Sequence, residues 1–345
     1  MRLSLFYFAD DTTATEPGYR LLLEGARLAD RAGLEAVWTP ERHFHGFGGG
    51  YPNPSVTGAA VAAVTERIGI RAGSVAAPLH HLVRLAEEWA VVDNLSRGRA
   101  GISLAPGGSP ADFVLNPQAY GERKRIALDT VEQLRRLWRG EPYRTDVMEP
   151  AGSYQVLPRP AGEIPLWLTT TGDPSVFRAA GVSATGVLTH LMRQRLPQLK
   201  EQVKIYREQL AAGGSTWHGH VTLMVHTYVD ETAELAVARA RPSLTRYLMS
   251  AMDFLRPEGA GSPTREAATR LAVRSAADRY LGPDGLVGSV DSLLPALDRF
   301  HDAGVDELAC LIDFGLEPDA VLECVTRLGQ LNTRWERRDF KTLGR

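Results

Sequence analysis

Short apolar runs alternate with longer amphipathic stretches along this chain. "RLSLFYF" (2–8) has strand length, and "YRLLLEGARLADRA" (19–32) carries apolar residues at three- and four-residue steps up to Gly33, a C-terminal cap. "EAVWT" (35–39) precedes a helical pattern from Pro54 to Glu66, "RIGIRAGS" (67–74) precedes one over 82–95, and "RAGISLA" (99–105) precedes one over 122–138. After a Pro/Gly-rich excursion at 140–163 the rhythm resumes. "PLWLTT" (165–170) leads to a helix at 174–181, and "ATGVLTH" (184–190) to one at 194–212. "HVTLMVHTYV" (220–229) leads to a helical stretch from 231, and "ELACLID" (307–313) to a last helix at 317–335. Eight such units predict a parallel sheet curled into a (β/α)8 TIM barrel of the α/β class, with an open doubly wound sheet as the alternative. The stretch 240–288 breaks the rhythm with "RPEGAGSPTREAATR" and "LGPDGLVGS", ahead of a helix at 289–303. It reads as a helical excursion over the barrel mouth. The expectation is therefore one domain over 1–345, with insertions at about 140–163 and 240–288.

Composition narrows the function without naming it. A 44% hydrophobic content over 345 residues is ample for a large core. With 39 basic and 41 acidic residues, the chain has no electrostatic footprint for nucleic acid. Cys310 and Cys324 are the only cysteines, which argues against a disulfide framework. The start, "MRLSLFYFADD", lacks a cleavage signal, and no apolar run reaches the roughly 18 residues of a membrane span. A soluble cytoplasmic protein is expected.

In such a barrel the chemistry sits in the loops after the strands. The segment after strand two, "WTPERHFHGFGGGYPNPSV" (38–56), places His43 and His45 at the catalytic mouth beside a glycine-rich lid. His80 and His81 follow strand three; His81 reads as a packing or capping residue and His80 is open to either role. No metal-ligand spacing is present, and no metal is expected. After strand four, Gly107 and Gly108 let backbone approach a ligand. After strand five, "LTTTGDPSVF" sets hydroxyls beside a helix start with Asp173 at the cap and Pro174 at the first turn, a pattern suited to an anion.

Together these pieces resemble the bacterial luciferase-like flavin monooxygenases, an FMN-dependent (β/α)8 family, over nearly the whole chain. "ERHF" (41–44) with "NP" (53–54) resembles the family's Glu-x-His-Phe segment, and "RIGIRAGSVAAPLHHLVRLAEEWAVVDNLSRGRAGISLAPG" its most recognisable block. "FVLNPQAYGERK" and "PLWLTTTGDPSVFRAAGVSATGVLTHL" are most similar to the subgroup found with polyketide and peptide assembly lines. The resemblance implies reduced FMN at the mouth. Its phosphate would lie on Thr170, Thr171 and Gly172, and its ring near Ser74, Ala105, Gly107, Tyr120 and His190. It implies oxygenation of a small organic or carrier-bound substrate through a peroxyflavin, with His43 and His45 governing protonation. It also implies a non-proline cis bond at Gly73–Ser74.

Three departures stand out. Arg42 takes the place of luciferase's catalytic histidine, with His45 the expected heir to that role. Ala105 replaces luciferase's reactive cysteine. Pro106, Gly107 and Gly108 replace the polar and aromatic run usual in the assembly-line subgroup. The start of the chain lacks a dinucleotide fingerprint, so a separate reductase is the expected source of reduced flavin. A homodimer is compatible with the resemblance. The alternatives are an F420-dependent oxidoreductase moving hydride without oxygen, or a non-catalytic flavin-binding subunit.

Overall fold

The computed structural model describes residues 1–8, 19–145, 152–254 and 263–342. In chain order the elements are β1 (Arg2–Phe6), α1 (Tyr19–Arg31), β2 (Ala36–Thr39), α2 (Pro54–Val64), β3 (Gly69–Ala76), α3 (Leu82–Ser96), β4 (Ala100–Ala105) and α4 (Arg123–Trp138). The hairpin strands β5 (Tyr143–Thr145) and β6 (Gly152–Tyr154) follow. Then come β7 (Leu166–Thr170), α5 (Pro174–Val182), β8 (Gly186–His190), α6 (Leu196–Ala212), β9 (Val221–Asp230), α7 (Ala233–Phe254) and α8 (Pro263–Tyr280). Last are β10 (Leu286–Ser289), α9 (Val290–Asp302), β11 (Glu307–Leu311) and α10 (Pro318–Thr342).

All eight strands read from the apolar runs are present, and every pairing between them is parallel. The order runs β11, β1, β2, β3, β4, β7, β8, β9, and β9 pairs with β11 to close the ring. This is a (β/α)8 barrel and not an open sheet. Two features lie outside the sequence reading. The excursion at 140–163 contains the antiparallel hairpin β5–β6. The "LVGS" of the loop before α9 is strand β10, which pairs Leu286–Ser289 with Thr227–Asp230. β9 is ten residues long and β11 occupies only Thr222–His226, so the remaining length of β9 accepts a further strand too short to show in sequence. No helix among the described residues is long and apolar enough to cross a membrane.

Side-chain alternation divides each strand between two tasks. Leu3, Leu5, Val37, Ile70, Ile102 and Leu104 face the helices and are buried, each contributing roughly 1.5–3 kcal/mol by leaving water. The opposite face fills the barrel. Near the strand starts it carries a charged plug. Glu307 is fully buried and accepts from Arg71 and Ser4, from Trp38 Nε1 at 2.8 Å and from His220 Nε2 at 2.8 Å. Arg71 lies 5.2 Å from the Trp38 ring centroid and 4.8 Å from that of Trp167, and it also donates to Glu35 at 3.0 Å. Burial alone would raise the Glu307 carboxyl, but Arg71, His220 and Ser4 outweigh it and hold it far below the carboxylate range. This plug seals the barrel's lower end, so any ligand must enter at the strand ends.

Candidate active site

The lumen face at the strand ends is open where the base is closed. Ser74, Ala105, Thr169, His190 and Met224 come from five successive strands and stay partly exposed, lining a cup. Thr169 Oγ1 lies 2.6 Å from both Ser74 Oγ and Ser103 Oγ. The Gly73–Ser74 peptide is cis, as the family resemblance implies. The rim above β4 runs through Gly107, whose φ of +74° suits glycine; a Cβ there would meet the Phe113 ring at 3.0 Å. His190 Nδ1 accepts from the Met192 amide at 3.2 Å, and burial lowers the ring's pKa, with Arg193 adding. The ring is therefore neutral with its proton on Nε2.

The loop after β2 contributes the charged part of the site. Glu41 is the hub: its Oε1 lies 3.0 Å from His43 Nε2 and 2.8 Å from His80 Nε2, and its Oε2 accepts from the Ala76 amide at 2.7 Å. Burial by itself would raise the Glu41 carboxyl. The bonds from His43 and His80, the His80 charge and the Ala76 amide outweigh it, so the group stays below the carboxylate range. An ionised carboxylate only accepts, so both imidazoles donate through Nε2 and each keeps Nδ1 as its remaining edge.

A second carboxylate ties this loop to the one after β4. Asp112 sits 3.4 Å from Arg42 Nη1. The Arg42 guanidinium in turn lies 5.7 Å from the centroid of the Phe8 ring. Burial raises the Asp112 carboxyl against the pull of Arg42 and His43.

The structure gathers some of the residues singled out in sequence and separates others. His43 joins the Glu41 hub. His45 turns back into its own loop, where Nδ1 accepts from the Phe47 amide at 3.0 Å. His80 joins the hub too, while His81 precedes α3 and meets the Tyr143 ring edge-on at 5.8 Å. Ser74, Ala105 and His190 line the cup, with Gly107 at its rim. Tyr120 is exposed, edge-on to Phe113 at 5.0 Å with Arg123 stacked 4.3 Å away. Thr170 points to the helix side, and its hydroxyl accepts the Gly172 and Asp173 amides at 3.2 and 2.9 Å. Thr171 is exposed at the rim. Gly172 has a φ of +111°, and a Cβ there would press on Gln194 at 3.2 Å. Asp173 caps α5, accepting from the Ser175 amide at 2.9 Å.

A model of the luciferase-like monooxygenases matches residues 1–307. The chain belongs to this family. As a luciferase-like monooxygenase it is an oxidoreductase, and its relatives are consistent with that. It is 24% identical to the oxygenase component of flavin-dependent trigonelline monooxygenase from Acinetobacter baylyi, over 92% of this chain and 90% of that one. It is 26% identical to 4-hydroxyprotoasukamycin monooxygenase from Streptomyces nodosus subsp. asukaensis, over 84% and 79%. Its fold superposes with a TM-score of 0.75 on the oxygenating constituent of 3,6-diketocamphane monooxygenase from Pseudomonas putida, solved with FMN. The two share 16% identity, with 96% of this chain and 97% of that one covered. At that identity the likeness speaks to fold alone.

Sequence reading of this luciferase-like monooxygenase passed over Glu41, Asp112 and Thr169. Glu41 was visible inside the Glu-x-His-Phe segment, but its hub role needs His80 and Ala76 from another strand. Thr169 was legible by alternation along "LWLTT", which sends 169 into the lumen and 170 away from it.

The hub also sets a pH dependence. The His80 pKa is raised above its ordinary 6.5: burial lowers it, but the bond and charge of Glu41, with Glu88, outweigh that. Its stabilising contribution is thus complete below pH 6.5 and fades as pH climbs through the higher folded value. Glu41 runs the other way: its contribution is present above 4.5 and lost as pH falls through the lower folded value. Urea midpoints are expected to decline from about pH 6.5 upward, and His80→Gln is expected to flatten that decline. An unchanged slope in the variant would remove His80 as its source.

Proposed function

We propose that this luciferase-like monooxygenase is the oxygenase component of a two-component system. It would take reduced FMN from a separate reductase and use O2 to oxygenate a small organic or carrier-bound substrate in natural-product biosynthesis. The observation that carries this reading is the Glu41 hub, an ionised carboxylate holding two imidazoles beside a cup lined by small and hydroxyl side chains. The cup fits a flat cofactor. Ser74, Ala105 and Gly107 offer a surface without long side chains, and His190 offers a neutral Nε2–H. The exposed Thr171 hydroxyl would meet a phosphate near Lys124, which stands 3.8 Å from Asp173. Names of the relatives from Acinetobacter and Streptomyces support a flavin and a biosynthetic substrate respectively.

Reduced flavin, when bound, supplies the electron pair that lets oxygen react. The chain's own residues do the rest. Glu41 fixes the tautomer of His43, leaving Nδ1 as the edge that takes or gives a proton at the mouth. His80 shares the carboxylate, so protonation of one imidazole alters the pull on the other. Arg42 and Asp112 hold the loops after β2 and β4 together over the cup, which keeps water out while the reaction proceeds.

Anaerobic titration tests the reading. Saturable binding of reduced FMN is expected, tighter than that of F420 run in parallel. Tight F420 binding without FMN binding would replace oxygenation by hydride transfer. Thr171→Val removes one hydroxyl at an exposed position and is expected to weaken FMN roughly tenfold, the worth of one bond to a charged group. Unchanged affinity would remove the phosphate assignment.

A further inference from the structure

One wall of the cup uses a buried group that the site so far leaves idle. His226 lies on the lumen face of β9, two residues beyond Met224, and is 5% exposed. Its Nε2 is sealed from water and has no hydrogen-bond partner. Protein interiors seldom keep such an atom, because a buried polar group cut off from water and left without a partner destabilises the fold. Three aromatic rings surround it. Tyr280 stacks at 4.5 Å and 33°, Tyr247 stands edge-on at 5.5 Å, and Phe314 stands edge-on at 5.9 Å. Phe47 continues the wall, 4.9 Å from Tyr247. Tyr247 and Tyr280 come from α7 and α8, so the excursion over the mouth supplies wall and not only cover. It is fastened there by Asp284, which Arg279 meets at 2.6 Å and Arg195 at 3.1 Å.

We infer that His226, with Tyr247, Tyr280 and Phe314, is the substrate-recognition subsite of this enzyme, and that it takes a neutral aromatic ring bearing a hydroxyl. The inference rests on the proposed oxygenase function and adds its substrate class. Ring walls of this kind hold flat apolar bodies, and a lone imidazole edge among them selects for a polar atom on that body. Burial brings the His226 pKa down to about 3, with His190 adding, so the ring is uncharged near neutrality. A neutral imidazole exchanges a hydrogen bond with a phenolic O–H and gives a carboxylate no charge to pair with. Met224 keeps partial exposure to the cup, so a ligand seated there lies one pleat from His226. The Tyr247 ring is the gate a ligand would displace, and its contact with Phe47 couples it to the loop that carries His43.

The test compares 2-naphthol with naphthalene by fluorescence titration of the full chain, with oxidised FMN binding measured in parallel. Wild type is expected to bind naphthol at least tenfold tighter than naphthalene. His226→Phe is expected to abolish that preference while leaving FMN affinity unchanged, and His226→Gln to retain part of it. Equal affinities in wild type, or a preference that survives His226→Phe, would overturn the inference. Should the Phe variant fail to fold, His226→Leu carries the same comparison. Loss of FMN binding in wild type would instead count against the flavin reading.

Discussion

Replacing Glu41 by Gln is expected to be the most damaging single substitution at the mouth. The carboxylate accepts from His43, His80 and the Ala76 amide together. A carboxamide cannot. With its oxygen toward the imidazoles, its NH2 meets the Ala76 N–H, donor against donor. Flipped, the NH2 meets two Nε2–H groups instead. Either way a buried polar group is left unmet and two charge-assisted bonds are weakened, a loss of about 3–5 kcal/mol. Urea denaturation reads that loss directly. The functional readout is hydrogen peroxide released when protein-bound reduced FMN meets oxygen, which is expected to rise several-fold as control of the mouth proton is lost. His43→Ala separates the two effects. It is expected to raise peroxide release similarly at a smaller stability cost, because Glu41 keeps its other two donors. A Glu41→Gln variant as stable as wild type, with unchanged peroxide release, would remove the hub from the mechanism.

The second large effect is expected at the opposite end of the barrel. Glu307→Ala leaves Arg71 inside the lumen with the Trp38 and Trp167 rings but without its buried carboxylate. Breaking a buried ion pair by removing one partner costs about 3–5 kcal/mol, and Glu35, half-buried and 3.0 Å away, offsets only part of the charge left behind. Replacing both partners, as Arg71→Met with Glu307→Leu, is expected to recover most of the loss, because apolar side chains of similar volume need no solvation. Denaturation midpoints of the three variants decide the matter. If the double variant is no better than Glu307→Ala, packing and not charge accounts for the loss. Neither change reaches the cup, so FMN affinity is expected to stay at the wild-type level in any variant that folds.

The two ends of the lumen differed in how legible they were. Period-two apolar runs and amphipathic spacing marked all eight barrel strands, because each wall strand must present a buried face to its helix along its whole length. β10 escaped because four residues, one of them Gly288, carry no periodicity, and its pairing depends on the excess length of β9. His43 was marked by its place after a strand, as were the small residues at the β3 and β4 ends. Its working partner was not, because Glu41 and His43 stand two residues apart whereas the hub's second imidazole, His80, lies 39 residues beyond Glu41. His226 gave no local signal at all. It is an ordinary member of "HVTLMVHTYV" until Tyr247 and Tyr280 fold over it.

The order of residues alone determined the repeating strand–helix unit, the end of the barrel where chemistry sits, and the glycine and hydroxyl character of its loops. These follow from spacing along a single strand or helix. Only the closed barrel decided which titratable groups share a hydrogen bond, and that His226 Nε2 is buried without one. Those properties belong to pairs of atoms brought within about 3 Å from strands far apart in sequence, and at that range burial and charge set their protonation.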